Sequence, residues 1–302
     1  MKRLSIFCFL IVSFLIILLN CNTSEKNPYL NIQDPTTKYV GMQTCKSCHW
    51  QVYESFIKTG MGQSWGIANK EKSAANFEPS KALVYDSVKD FYYKPYWDGD
   101  SLTIMEYRLS GKDTVHKRLE KVSYIVGSGQ HTNSHIININ GYLHQAPITF
   151  YTQKGKWDLA PGFEKGMSSR FDRKIELECI SCHNGYPELT DGSLNKYNQV
   201  SLGIDCERCH GPGSLHVAEK QKGNIVDTSM TPDYTIVNPR RLNTEEQNNL
   251  CQRCHLQGIT VLNDGKSFFD FKPSEKLSNT MNTFMPNYSG SENHMIMASH
   301  VE

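Results

Sequence analysis

Four copies of Cys-x-x-Cys-His punctuate the chain, at Cys45-Lys46-Ser47-Cys48-His49, Cys179-Ile180-Ser181-Cys182-His183, Cys206-Glu207-Arg208-Cys209-His210 and Cys251-Gln252-Arg253-Cys254-His255. This is the attachment signature of c-type haem. Two thiols three positions apart in one helical turn reach the two vinyl groups of one porphyrin, and the next imidazole meets the iron as proximal ligand. Eight of the ten cysteines fall inside the pattern, and every pair is followed at once by histidine. Four covalent haems are therefore expected, on Cys45/Cys48, Cys179/Cys182, Cys206/Cys209 and Cys251/Cys254, with His49, His183, His210 and His255 as proximal ligands. A zinc ribbon uses two cysteine pairs per metal and has no need of a histidine after each. Disulfides suit an exported chain but leave the repeated histidine unexplained.

The amino end reads as an export signal over residues 1–20. Lys2 and Arg3 precede an apolar run, Ile6 to Leu19, broken only by Ser13 and shorter than a bilayer span needs. It stops at Leu18-Leu19-Asn20-Cys21, which resembles a lipoprotein cleavage box in which Cys21 is lipidated; Asn20 departs from the usual small residue, and an uncleaved membrane anchor is the alternative. Both readings put the remaining chain outside the cytoplasm, as a periplasmic or outer-membrane-anchored lipoprotein. With 32 basic and 31 acidic residues, no field predicts a nucleic-acid partner. A hydrophobic content of 38 % is modest for 302 residues, and porphyrin faces are expected to serve as core where the cysteines cluster.

The fold class expected is α+β: short helices and loops around covalent haems, interrupted by an antiparallel sheet. Residues 21–38, holding Pro28 and Pro35, read as a polar tether. Residues 39–80 form the first haem segment, in which Trp50, Tyr53 and Ile57 recur at helical spacing, so a helix should run to about Lys58 and stop at Gly60 with an aromatic face on the porphyrin. Residues 81–170 lack the motif and carry β-branched and aromatic runs punctuated by Asp98-Gly99, Ser110-Gly111 and Asn140-Gly141, the texture of an antiparallel subdomain. Asn140-Gly141 should make a two-residue hairpin pairing Ile139 with Tyr142 and Ile137 with His144, with His135 and His144 sharing a face. Residues 171–260 hold three haems, with a helix capped by Thr244 and Gln247 running into Cys251. Residues 261–302 form a tail ending with no Gly, Pro or polar extension, the pattern a shortened carboxyl end leaves.

The sixth ligand of each iron separates a carrier from an enzyme. Seven histidines lie outside the motifs: His116, His131, His135, His144, His216, His294 and His300. His216 leads, because Gly211-Pro212-Gly213 turns the chain after His210 and brings it back across neighbouring haems. His131 follows, in the flexible run Gly127-Ser128-Gly129-Gln130-His131. His135 or His144 is a distal candidate if their shared face meets a haem edge, while His116, amid Lys117 and Arg118, reads as solvated.

Tyr39-Val40-Gly41-x-x-Thr44-Cys45, the run Cys206-Glu207-Arg208-Cys209-His210-Gly211-Pro212-Gly213-x-x-His216, and Ile236-Val237-Asn238-Pro239 followed by Leu242 resemble the multihaem c-type cytochromes related to the tetrahaem electron acceptor of hydroxylamine oxidation. The likeness spans roughly Tyr39 to Gly258. It implies paired haems along which electrons hop, two histidines on most irons, and a distal role for His216. Many relatives place a histidine five residues after an aromatic in the helix behind the first motif; here Phe56 is followed at that spacing by Met61. Met61 is a ligand candidate for the first haem, since methionine ligation raises the potential; it is equally a packing residue, and an open first haem is a third possibility.

The leading expectation is an exported tetrahaem cytochrome that passes electrons between redox proteins of the respiratory chain or periplasm and is held to the membrane by lipid. The alternative is an oxidoreductase acting on nitrite or hydroxylamine at one open haem, although no catalytic acid or base stands beside a motif. A third reading takes the β segment as a docking module of a haem sensor.

Overall fold

A computed structural model describes residues 27–256 and 258–284. The expected signal, Cys21, His294 and His300 lie outside them. Two antiparallel sheets dominate the middle of the chain. β2 (Val84–Asp86), β3 (Phe91–Asp98), β4 (Ser101–Ser110) and β5 (Asp113–Lys121) form a meander in sequence order. The second sheet runs β1 (Trp65–Ile67), β6 (Tyr124–Val126), β7 (Thr132–Ile139), β8 (Tyr142–Tyr151), β10 (Arg173–Lys174), with β9 (Lys156–Leu159) also on β8. Along β3 the buried residues alternate, Phe91, Tyr93, Pro95, as a sheet with one covered face requires. That face and the second sheet share one core of Tyr93, Leu102, Ile104, Ile125, Ile148 and Phe171. Each such side chain contributes roughly 1.5–3 kcal/mol by leaving water. The sheet overruns 81–170 at both ends, taking β1 and β10 from the neighbouring haem segments.

The Asn140-Gly141 hairpin forms as expected. Asn140 and Gly141 both have positive φ, and Ile139 pairs with Tyr142 and Ile137 with His144. The register slips between Ser134 and Ile136, where β8 spends extra residues around Pro147, and the two histidines have different surroundings. His135 is fully buried between the sheets, stacked on Trp157 with ring centroids 4.9 Å apart, and its Nδ1 lies 3.3 Å from the Ile148 carbonyl. Burial lowers its pKa to about 4. It is a neutral core residue, and the expected haem-edge role is corrected. His144 instead meets the amide of Asn195. His116 is not simply solvated: its Nε2 sits 3.0 Å from the buried carboxylate of Glu106, which Arg170 also clamps.

The rest of the chain is short helices joined by loops: α1 (Leu30–Gln33), α2 (Met42–Phe56), α3 (Leu177–Ser181), α4 (Glu207–His210), α5 (Ser214–Gln221) and α6 (Thr244–His255). Two small hairpins, β11 (Glu188–Leu189) with β12 (Tyr197–Gln199) and β13 (Ile259–Leu262) with β14 (Met281–Phe284), complete the order. An α+β architecture thus holds. Residues 27–37 are no free tether. Tyr29 and Ile32, one helical turn apart, bury themselves with Val237, Leu250, Phe271 and Met281, and Lys272 donates to the carbonyls of Ile32 and Gln33. The described part of the tail is therefore folded against them. The α6 cap sits one residue earlier than expected: Asn243 Oδ1 accepts from the Glu246 amide and Glu246 accepts from that of Asn243, since asparagine caps at least as well as threonine. Among the described residues no helix is long and apolar enough to cross a membrane.

Candidate haem-binding site

Each motif occupies the end of a helix or a kink in one. Cys45 and Cys48 lie one turn apart on α2, which breaks helical geometry at His49. Cys179 is on α3, with Cys182 as its C-cap and His183 just beyond. Cys206 caps α4, which carries Cys209 and His210, and Gly211 turns the chain with φ +78°. Cys251, Cys254 and His255 close α6. The i, i+3 spacing in a helical turn puts both sulfurs of a pair on one face.

The tertiary structure joins the motifs crosswise, first with third and second with fourth. Cys45 and Cys206 are neighbours, and their nearness raises the pKa of Cys45 and lowers that of Cys206. Cys254 Sγ donates to the Ser181 carbonyl of the second motif at 3.8 Å, and the nearness of the two thiols raises the pKa of Cys182 and lowers that of Cys254. Desolvation, and then the nearness of His255, lowers the pKa of His183, whose side chain still reaches the surface. Two residues inside the third motif organise both pairs. The carboxylate of Glu207, 1 % exposed, accepts from the amides of Val40 (3.0 Å) and Gly41 (2.7 Å), ahead of the first motif, and of Gly213 (2.8 Å), ahead of α5. Arg208, equally buried, donates through Nη2 to the Ser181 carbonyl in the second motif at 2.7 Å, and its own carbonyl accepts from Arg253 in the fourth.

Opposite His49 stands His216, carried by α5. The ring centroids are 6.3 Å apart and the planes differ by 24°. Two imidazoles on one metal, each bound at about 2 Å, put their centroids roughly 6 Å apart. Nδ1 of His216 is held by Thr235 Oγ1 at 3.1 Å and by Asp233 at 3.3 Å, so Nε2 is the nitrogen that would meet a metal between the rings. Nδ1 of His210 lies 2.7 Å from the Val237 carbonyl, an outer partner that fixes the tautomer of a metal-binding imidazole.

The residues present fit a large apolar group. Cysteine is normally among the most buried residue types, yet none of these eight is buried. α2 buries no side chain although it carries Trp50 and Val52, 59 % and 63 % exposed. α5 buries none, and α6 only Leu250. Among the described residues, no three His, Cys, Asp or Glu side chains gather in a group able to hold a bare metal ion.

Met61 lies just beyond α2, half exposed, and its carbonyl accepts from the Ile204 amide, two residues before Cys206. The loop carrying His131 packs on Gly60 next to it, and the Nδ1 of His131 is bonded to Gln153. Sequence reasoning passed over Glu207, Arg208 and Arg253, because positions between motif cysteines count as spacers. The signal was available: the third motif alone fills both spacer positions with opposite charges.

A family model described as cytochrome c554 and c-prime matches residues 152–211, which contain the second and third motifs. The chain is also similar to the multiheme cytochrome MtrA of Shewanella baltica (strain OS185), 26 % identical over 98 residues, 30 % of this chain and 27 % of that protein. The match thus spans about a quarter of that relative's length. No solved structure matches the chain.

Proposed function

We propose that this multihaem c-type cytochrome is an exported tetrahaem electron carrier, in which electrons pass within and between two crosswise haem pairs. Covalent haem supplies one-electron chemistry at iron, and the protein sets spacing, axial ligands and solvent access. The observation that carries the reading is that hydrogen bonds tie the approach to motif one to motif three through Glu207, and motif four to motif two through Cys254 and the Ser181 carbonyl, which brings the attachment points of each pair together. Cys45/Cys48, Cys179/Cys182, Cys206/Cys209 and Cys251/Cys254 are the attachment points, with His49, His183, His210 and His255 as proximal ligands.

The first haem takes His216 as its second imidazole, supported by the 6.3 Å spacing from His49. Asp233 and Thr235 hold that imidazole, and the Val237 carbonyl orients His210. Met61 is thereby released from the first haem. Its backbone bond to Ile204 associates it with the third, together with the His131 loop beside it. Lipidation at Cys21 after removal of residues 1–20 would anchor the carrier to the membrane, and its partners are redox proteins of the respiratory chain or periplasm.

The test is the absorption spectrum of the holoprotein, oxidised and reduced, with and without carbon monoxide, alongside a haem count. Low-spin c-type bands indifferent to carbon monoxide and four haems per chain are expected. A high-spin iron that binds carbon monoxide in the wild type would replace the carrier reading with an oxidoreductase.

A further inference from the structure

Where the four motifs meet, a group of buried donors has no acceptor. Arg208 Nε and Nη1, Arg253 Nη1, and the hydroxyls of Tyr39 and Tyr186 are all sealed from solvent without a hydrogen bond of normal geometry. Tyr39 and Tyr186 stack with centroids 3.8 Å apart, and the Arg208 guanidinium lies over the rings of Tyr186 (5.2 Å) and Phe269 (4.6 Å). Arg253 lies over Phe271.

The nearby acids are otherwise engaged. The Glu207 oxygens are taken by three backbone amides, and Asp205 accepts from the backbone amide of Arg208 rather than from its side chain. A buried guanidinium left without a counter-ion is strongly unfavourable, so such a charge is expected to meet an anion. The fork of a guanidinium matches a carboxylate in particular.

We propose that Arg208, Arg253, Tyr39 and Tyr186 form a receptor for a haem propionate, through which the third motif sets the potential of a haem at the junction of the two pairs. The proposal rests on the haem reading above. The shared chemistry is that of an oxyanion, which a diffusible anion could also supply, and the experiment separates the two sources.

Redox titration of the haem-loaded protein, with one potential fitted per haem, is compared among wild type, Arg208→Gln, Arg253→Gln and Tyr186→Phe. Losing the Arg208 charge should favour the oxidised form of one haem about tenfold, ~59 mV for one electron. That potential should also become pH-dependent, because the carboxylate loses the cation that keeps it ionised. Arg208→Lys should restore the pH-independence in part. Should Arg208→Gln fail to fold, Arg253→Gln and Tyr186→Phe carry the same expectation with smaller shifts. Potentials and pH profiles unchanged in variants that retain every haem would overturn the proposal alone. A wild-type potential that moves with added nitrite or sulfate, and ceases to move in Arg208→Gln, would overturn it in favour of a free-anion site. A wild-type chain that attaches no haem would overturn the reading beneath it as well.

Discussion

Glu207 offers the sharpest test of how the motifs are assembled. Its carboxylate accepts from three amides that belong to two separate stretches, Val40 and Gly41 before α2 and Gly213 before α5. Truncation to alanine leaves those donors unpaired, at about 1–3 kcal/mol for each donor that stays buried. Gly213 is buried, Val40 half-buried and Gly41 exposed, so water can reach part of the set. The net cost of Glu207→Ala is therefore about 2–5 kcal/mol. Glu207→Gln keeps the volume and one acceptor oxygen, and should cost about half as much.

Because the same carboxylate sets α2 against α5, its loss also moves His216 relative to His49. Denaturant unfolding of the haem-loaded protein measures the first effect, and carbon monoxide binding at one haem the second. A stability change below about 0.5 kcal/mol in Glu207→Ala, with no new carbon monoxide binding, would refute the idea that this residue locks the first pair together.

Replacing His216 by alanine should convert one low-spin haem into a carbon monoxide-binding one while leaving the haem count unchanged; an unaltered spectrum would remove it from the first iron. Glu106 is fully buried, and although burial pushes its pKa up, hydrogen bonds from Arg170 and His116 hold it below the ordinary carboxylate value. A depressed carboxylate stabilises the fold above its unfolded pKa and loses that contribution as pH falls through its folded one. The stability gap between wild type and Glu106→Gln, measured by urea unfolding, should therefore close below about pH 4. His135 shows the same direction for a base: with its pKa lowered to about 4 by burial, the unfolded state binds the extra proton between about pH 6.5 and pH 4. Stability should fall across that window, and His135→Phe should flatten this component of the curve. Asn243→Ala removes the α6 cap and should cost about 1 kcal/mol in thermal or urea unfolding.

Much of the local structure was legible. Asn140-Gly141 gives a hairpin with the expected register, and the helix running into Cys251 forms where its cap was expected, one residue aside. These features depend on a few consecutive residues, whose backbone preferences and side-chain period act within a turn or a strand. The failures were of another kind. Tyr29 and Ile32 looked like isolated apolar residues in a polar stretch, because what buries them, Val237, Leu250 and Phe271, is supplied from the far end of the chain. The pattern put His135 and His144 on one face, but that His135 would be sealed against Trp157 depends on the second sheet and β9, which alternation along two strands does not reveal.

The sequence by itself determined that four haem-attachment motifs are present, since such a motif needs only two thiols and an imidazole on one helical turn. It also determined that a β body interrupts them. Only the tertiary structure brought His216 within 6.3 Å of His49 and made Glu207 and Arg208 the residues that tie the motifs together. The physical reason is range. Attachment is a short contact that spacing can encode, whereas pairing and counter-charge depend on groups brought together from distant stretches, and nothing in the local pattern of either stretch names its partner.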